Sequence, residues 1–265
     1  MKIYSLSGAS GTGKSTSALE LAYLHNIEGI IDDGILIIHG EKCAGTSAKF
    51  EKNAFTAVRR AIFLEDAHRN EVKSAIEQSN IHSLLIIGTS DKMTKKIAAR
   101  LDVGTIDTFI YVEDVRTQKE IRQAQFIRQT QGKHVMPIPH AQVEQNFFKR
   151  IIQKGRDIFL NKKKIGETTI VQPDFHKERI EIARAVYVAV LHQILSESDI
   201  VAKFEIMHLA TEAIPQMQIA VYLHAPISYD VIMHLTLLQK EISHQFLLHF
   251  GIEPEFIHLQ VRGIK

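Results

Sequence analysis

Gly8-Ala9-Ser10-Gly11-Thr12-Gly13-Lys14-Ser15 fits the phosphate-binding pattern G-x-x-x-x-G-K-[ST]. Glycines at this spacing let a backbone loop close around a triphosphate with its N–H groups pointing inward. The lysine then reaches the β- and γ-phosphates, and the hydroxyl after it sits on Mg²⁺. The pattern assigns phosphate contacts to Gly8, Ser10, Gly11, Thr12, Gly13, Lys14, Ser15 and Thr16. It names ATP and Mg²⁺ as the cofactors, with Lys14 among the catalytic groups.

Such a site also needs a carboxylate near the metal, and four positions offer one. Asp32-Asp33 stands inside the second apolar run, Asp66 ends Phe63-Leu64-Glu65-Asp66, and Asp114 follows Tyr111-Val112-Glu113. The run Leu84-Leu85-Ile86-Ile87 ends in Gly88-Thr89-Ser90, where an acid would be expected. Asp32-Asp33 also reads as a solvated turn before Gly34. Cations that close over a transferred phosphate are sought in Arg116, Arg122, Arg128, Lys133 and His134. Arg128 is preferred because it adjoins the glycine hinge at Gly132. Arg59-Arg60 is a second candidate, or an exposed helix pair. No N-K-x-D sequence is present, since Asp91-Lys92 lacks the asparagine, so ATP is favoured over GTP. The 14 histidines lack metal-ligand spacing, and Cys43, the single cysteine, reads as a bystander.

The elements that must hold these groups follow from periodicity. Ile3–Leu6 reads as a short buried strand and Lys14–Leu24 as a helix with Leu19, Ala22 and Tyr23 on one side. Apolar runs at Gly29–Ile31, Ile35–Ile38, Ser83–Ile87 and Thr108–Val112 alternate with helical patterns near 53–63, 68–79 and 90–101. That grammar predicts an α/β fold, a parallel sheet with helices on both faces and Leu84–Ile87 central. A polar helix is expected over Val115–Gln131, an extended segment over 132–139 and a further helix over Gln142–Phe159. The boundary is placed near Gly166, giving a domain over 1–160 and another over 166–265. The second domain reads as a smaller α+β unit of order β-α-β-β-α-β. Its elements are a strand at Thr168–Val171, a helix at 176–195 striped by Ile180, Ala183, Tyr187, Val190 and Ile194, two alternating strands, a helix at 228–248 and a last strand.

The loop, with an acidic pair shortly after its lysine, resembles P-loop kinases of small molecules such as the shikimate kinase group. That resemblance implies that Asp32 and Asp33, with Ser15, organise the metal shell, and that Asp33 orients an acceptor hydroxyl while Lys14 and Arg128 stabilise charge. Gln218–Leu223, the helix through Val231, Leu238 and Ile242, and Ile257–Gly263 resemble the alkaline shock protein family of Gram-positive bacteria. Its members are small non-enzymatic domains associated with envelope stress and protein assembly. Together the two resemblances imply either a nucleotide-dependent regulator that contacts a protein partner or another copy through 166–265, or a kinase passing the γ-phosphate of ATP to a hydroxyl.

Charge agrees with this division. Residues 1–165 carry 25 Lys/Arg against 18 Asp/Glu, a net +7, and residues 166–265 carry 7 against 12, a net −5. The basic part suits a polyanionic ligand, whereas the acidic part is poorly suited to nucleic acid, and no G-x-x-G clamp of a KH-type domain is found there. One cysteine, no export-signal pattern and no apolar run of membrane-spanning length lead to the expectation of a cytoplasmic protein with no integral membrane segment.

Overall fold

The computed structural model describes residues 1–143, 151–160, 163–173 and 179–265, with backbone alone for 151–160 and Lys163. The chain divides into two units, Met1–Arg179 and Ile180–Lys265.

In the first unit, β1 (Lys2–Ser7) runs into the glycine loop and then α1 (Lys14–Leu24). A meander of β2 (Gly29–Asp32), β3 (Ile35–Ile38) and β4 (Glu41–Gly45) follows, then a short 3₁₀ turn at Ala48–Phe50, α2 (Ala54–Ala61) and α3 (Asp66–Ser79). Next come β5 (Ser83–Gly88), α4 (Asp91–Leu101), β6 (Thr108–Tyr111), α5 (Val112–Val115) and α6 (Gln118–Gln131). The six strands form one sheet in the order β4-β3-β2-β5-β1-β6. β5 is internal, as its continuous apolar run requires.

The sheet is mixed rather than wholly parallel. β2, β5, β1 and β6 are parallel, but β3 pairs antiparallel with both β2 and β4. Chain length explains the difference: a parallel crossover needs a dozen residues or more, and only Asp33-Gly34 separates β2 from β3. That pair adopts φ of 47° and 92°, and His39-Gly40 between β3 and β4 adopts 50° and 82°. Two successive left-handed residues are the hairpin turn whose twist matches the strands, and Asp-Gly is among its preferred sequences.

Alternation along each strand separates two cores. Ile30, Tyr4, Leu6, Leu85 and Ile87 pack with Ala18, Leu21 and Ala22 of α1. Ile31, Ile3, Leu84 and Ile86 pack with Val72 and Ile76 of α3 and with Ile97 and Leu101 of α4. Helices therefore cover both faces.

A second small sheet, ordered β7-β9-β8, completes this unit from β7 (His134–Met136), β8 (Ile151–Leu160) and β9 (Lys163–Val171). It corrects two expectations. The helix expected over Gln142–Phe159 falls partly outside the described residues, and 151–160 is a strand paired antiparallel with β9. Cross-strand pairing there overrides a locally helical period, as it does for runs rich in Ile and Phe. Thr168–Val171, expected to open the second domain, instead lies between β7 and β8 in the first unit. Val171, Met136 and Ile138 join the core under α1, and a Cβ on Gly166 would come 2.7 Å from Leu19 Cδ1, so β9 passes directly against α1.

The second unit consequently has the order α-β-β-α-β. It comprises α7 (Arg184–Ser196), β10 (Val201–Ala210), β11 (Gln216–Leu223), α8 (Val231–Phe250) and β12 (Phe256–Ile264), with the sheet ordered β10-β11-β12. Ile180 and Ala183 precede α7 rather than joining its stripe. Tyr187, Leu191 and Leu195 pack on Leu238, Ile242 and Phe246 of α8 and on the inward residues Met217, Ile219, Val221 and Leu223 of β11. Asp230 caps α8 by accepting from the Met233 N–H at 2.8 Å. No helix among the described residues is long and apolar enough to cross a membrane.

Candidate functional site

The glycine loop turns at two left-handed positions, Gly11 with φ 80° and Gly13 with φ 90°. Within it the Thr12 hydroxyl donates to the Ala9 carbonyl at 2.8 Å. Lys14 opens α1 and turns back into the loop, where Nζ donates to the carbonyls of Gly8 and Ala9, each at 2.7 Å. Ser10 is exposed on the loop, and Thr16 is half-buried in the first turn of the helix. Gly8 has no room for a side chain, because a Cβ there would lie 2.4 Å from Val112 Cγ1.

Asp32 is the last residue of β2 and points to the α1 face, two residues after Ile30 on the same side. The Ser15 hydroxyl in the first turn of α1 stands near enough to the Asp32 carboxylate to favour its charged form. Asp33 follows in the turn. Its side chain is 37% exposed, against 3% for Asp32. The structure thus brings Lys14, Ser15, Asp32 and Asp33 into one cluster.

Two arginines from the region after β6 join it. Arg116 Nη1 donates to the Gly13 carbonyl at 3.2 Å. Arg128 lies over Gly11, where a Cβ would come 3.2 Å from Arg128 Cγ. These residues flank and end α6, whose start is fixed by a reciprocal cap: the Thr117 hydroxyl accepts from the Glu120 N–H and the Glu120 carboxylate accepts from the Thr117 N–H at 2.8 Å. Thr117-Gln118-Lys119-Glu120 carries that signal openly in the sequence. Arg122 stands within α6, Lys133 follows Gly132, and His134 is buried in β7.

Lys49 is the residue that sequence reasoning missed. It sits in the 3₁₀ turn after β4, 4% exposed, with Nζ 3.0 Å from Asp32 Oδ2 and 2.8 Å from Asp33 Oδ2. No local pattern marks it, because the meander alone returns it to the end of β2. Asp91, read in the sequence only against the N-K-x-D pattern, stands three residues beyond the end of β5. Its carboxylate accepts from the Ser7 hydroxyl at 2.6 Å and from the Tyr111 hydroxyl at 3.2 Å, joining the ends of β1 and β6 beside the loop.

The remaining candidates are engaged elsewhere. Asp66 pairs with Arg69 at 2.9 Å and Arg100 at 3.1 Å, and Asp114 accepts from the Tyr111 N–H at 3.1 Å. Arg60 pairs with Glu51 at 2.7 Å and Glu65 at 2.8 Å, while Arg59 lies over the Phe55 ring.

Burial and mutual charge set the proton affinities of the cluster. Burial lowers Lys14, against the pull of Asp32 and Asp33. Burial would raise Asp33, but Lys49, then Lys14 and Arg128, outweigh it and hold Asp33 below the usual carboxylate value. Asp32 is raised, chiefly by burial, although Lys49 opposes the shift. Lys49 itself is raised because its two carboxylates outweigh its burial. Burial brings Arg128 down to about 10, with Asp33 opposing. Three cations, Lys14, Lys49 and Arg128, thus act on two carboxylates, a balance that favours an anionic ligand, while Arg116 at Gly13 has Glu120 and Glu20 near it.

No family model matches this chain. No curated protein matches it either. The geometry itself is what bears on function. Among the described residues, no group of three or more His, Cys, Asp or Glu is arranged to hold a metal ion. Ser15 and Asp32 nevertheless form a hard oxygen pair of the kind Mg²⁺ takes when substrate phosphates and water supply the other ligands. The residues present fit Mg²⁺ on those terms.

Proposed function

We propose that Gly8–Thr16 cradle the phosphates of Mg-ATP and that the chain is a nucleotide-dependent switch, with its C-terminal residues contacting a protein partner or another copy. The observation that carries the reading is the in-turned Lys14, whose Nζ donates to the Gly8 and Ala9 carbonyls while Asp32 and Asp33 act on its charge. It sets the phosphate loop after β1 beside carboxylates at the end of β2, a parallel strand two places away in the sheet. Ser15 and Asp32 would hold Mg²⁺, which would neutralise charge on the phosphates, and Lys14 would exchange its loop carbonyls for phosphate oxygens. Asp91 is engaged with Ser7 and Tyr111, which supports ATP over a guanine nucleotide read by that acid.

The switch is supported by α6. Arg116 just before it and Arg128 near its end both lie on the loop, so a change of charge between Gly11 and Gly13 acts on both ends of one helix. A phosphotransferase reading is favoured by one observation, the partial exposure of Asp33 next to the buried Asp32. In that reading Asp33 would orient a hydroxyl acceptor, and Lys14 and Arg128 would stabilise the transferred group.

Calorimetry with ATP, GTP and Mg²⁺ on the wild type and Lys14→Ala tests the common core. Binding is expected in the wild type with ATP preferred, and at least about a hundredfold weaker in the variant, since a charge-assisted contact to phosphate is removed. Equal affinity in both proteins sinks the assignment. Phosphate release without any acceptor, from a panel of hydroxylated small molecules, separates the switch from the phosphotransferase.

A further inference from the structure

Lys49 places a fixed cation where a metal would otherwise bridge the acid pair. Its Nζ contacts Oδ2 of both Asp32 and Asp33, and its side chain is 5% exposed. The backbone keeps it there: the Ala48 N–H donates to the Asp33 carbonyl at 2.7 Å, and the Ser47 hydroxyl accepts from the Lys49 N–H at 3.3 Å. The 3₁₀ turn is thereby tied to the same hairpin turn that carries Asp33.

We propose that Lys49 is a positioning residue that closes the Asp32–Asp33 pair to a free divalent cation, so that metal enters only with the phosphate oxygens of its nucleotide. The proposal rests on the triphosphate reading above. With Lys49 in place the two carboxylates and its ammonium sum to one net negative charge, and Lys14 and Arg128 act on the same pair. A dication bridging both carboxylates would meet the ammonium at contact distance. What remains for a metal is the Ser15 hydroxyl and the second carboxylate oxygen of Asp32 and of Asp33. That is too few ligands for a six-coordinate ion, and no set of three acidic, histidine or cysteine ligands stands elsewhere among the described residues. Phosphate oxygens supply both the missing ligands and the charge that offsets Lys49.

The test uses the full chain without nucleotide and follows Mn²⁺ by electron paramagnetic resonance and Mg²⁺ by thermal melting, in wild type, Lys49→Met and Lys49→Arg. Wild type and Lys49→Arg are expected to bind Mn²⁺ weakly and to melt at the same temperature with and without Mg²⁺. Lys49→Met is expected to bind Mn²⁺ at least roughly tenfold tighter, because a unit charge at contact distance has been removed, and to melt higher when Mg²⁺ is present. A Lys49→Met protein that folds cooperatively only with Mg²⁺ is the same result in its strongest form. Tight nucleotide-free Mn²⁺ binding by wild type, no gain in Lys49→Met, or a variant that stays unfolded in Mg²⁺ each overturns the proposal. ATP enters none of these arms. Failure of ATP to bind would remove the phosphate-loop reading and leave the comparison of cations intact.

Discussion

Gly13→Ala probes how tightly the loop and Arg116 are joined. Gly13 has φ 90° and ψ 17°, a left-handed conformation that costs an L-residue about 1–2 kcal/mol. The new methyl would also stand 2.1 Å from Arg116 Nη1 and 2.8 Å from its Cζ, so the guanidinium must leave and its hydrogen bond to the Gly13 carbonyl is lost. A hydrogen bond from a charged donor contributes about 1.5–3 kcal/mol, and the lower figure suits a half-buried arginine. Gly13→Ala should therefore destabilise the first unit by about 3 kcal/mol and Arg116→Ala by about 1.5 kcal/mol. The double variant should cost about 3 kcal/mol rather than the sum of about 4.5, because both changes break the same contact. Native-state hydrogen exchange at the β1 and β5 amides reads the opening of this unit without interference from the second. A double variant that loses the full sum refutes the steric link between Gly13 and Arg116.

Two further outcomes are expected. His68 is buried against Phe63 with Nε2 2.8 Å from the Gly34 carbonyl, and burial holds it below its ordinary value of 6.5. As pH falls below 6.5 the unfolded chain takes up the proton first, so stability drops on acidification toward pH 5. Urea midpoints should show this in wild type and a flatter dependence in His68→Gln, and equal slopes would remove His68 as the cause. Phe246, fully buried beside Tyr187 and Phe250, should cost the second unit about 3–5 kcal/mol when changed to Ala, seen as faster exchange in α7, α8 and β11 with β1 and β5 unchanged.

The loop was legible because its chemistry is local: eight consecutive residues carry both the turn geometry and the cationic group. The apolar runs of β1, β5 and β11 were legible for the same reason, since each strand states its own burial. Asp32 and Asp33 could be named as candidates, but Asp33-Gly34 as a hairpin turn was visible only when the short spacing between two apolar runs was weighed against the length of a crossover. Lys49 was not legible. It acquires its role from three strands folding back on one another, and nothing in Ser47-Ala48-Lys49 distinguishes it from a surface lysine. The helix expected over 142–159 failed for a related reason: β8 owes its strand conformation to β9, and a partner in the sheet leaves little trace in a single strand's period.

The β2–β3 hairpin gives the carboxylate's address a parity. Ile30 and Asp32 face α1 because they are even steps apart, whereas Ile31 faces α3 and α4. Inserting one residue between Ile30 and Asp32 would leave the glycine loop, the acid pair and the turn sequence all spelled correctly. It would also turn the Asp32 carboxylate away from Ser15 and into the hydrocarbon on the opposite side of the sheet. A chain carrying every letter of the motif can therefore lack the site, and spacing counted in whole residue pairs along β2 is the quantity to compare when other chains with a glycine loop and an acidic pair are set beside this one.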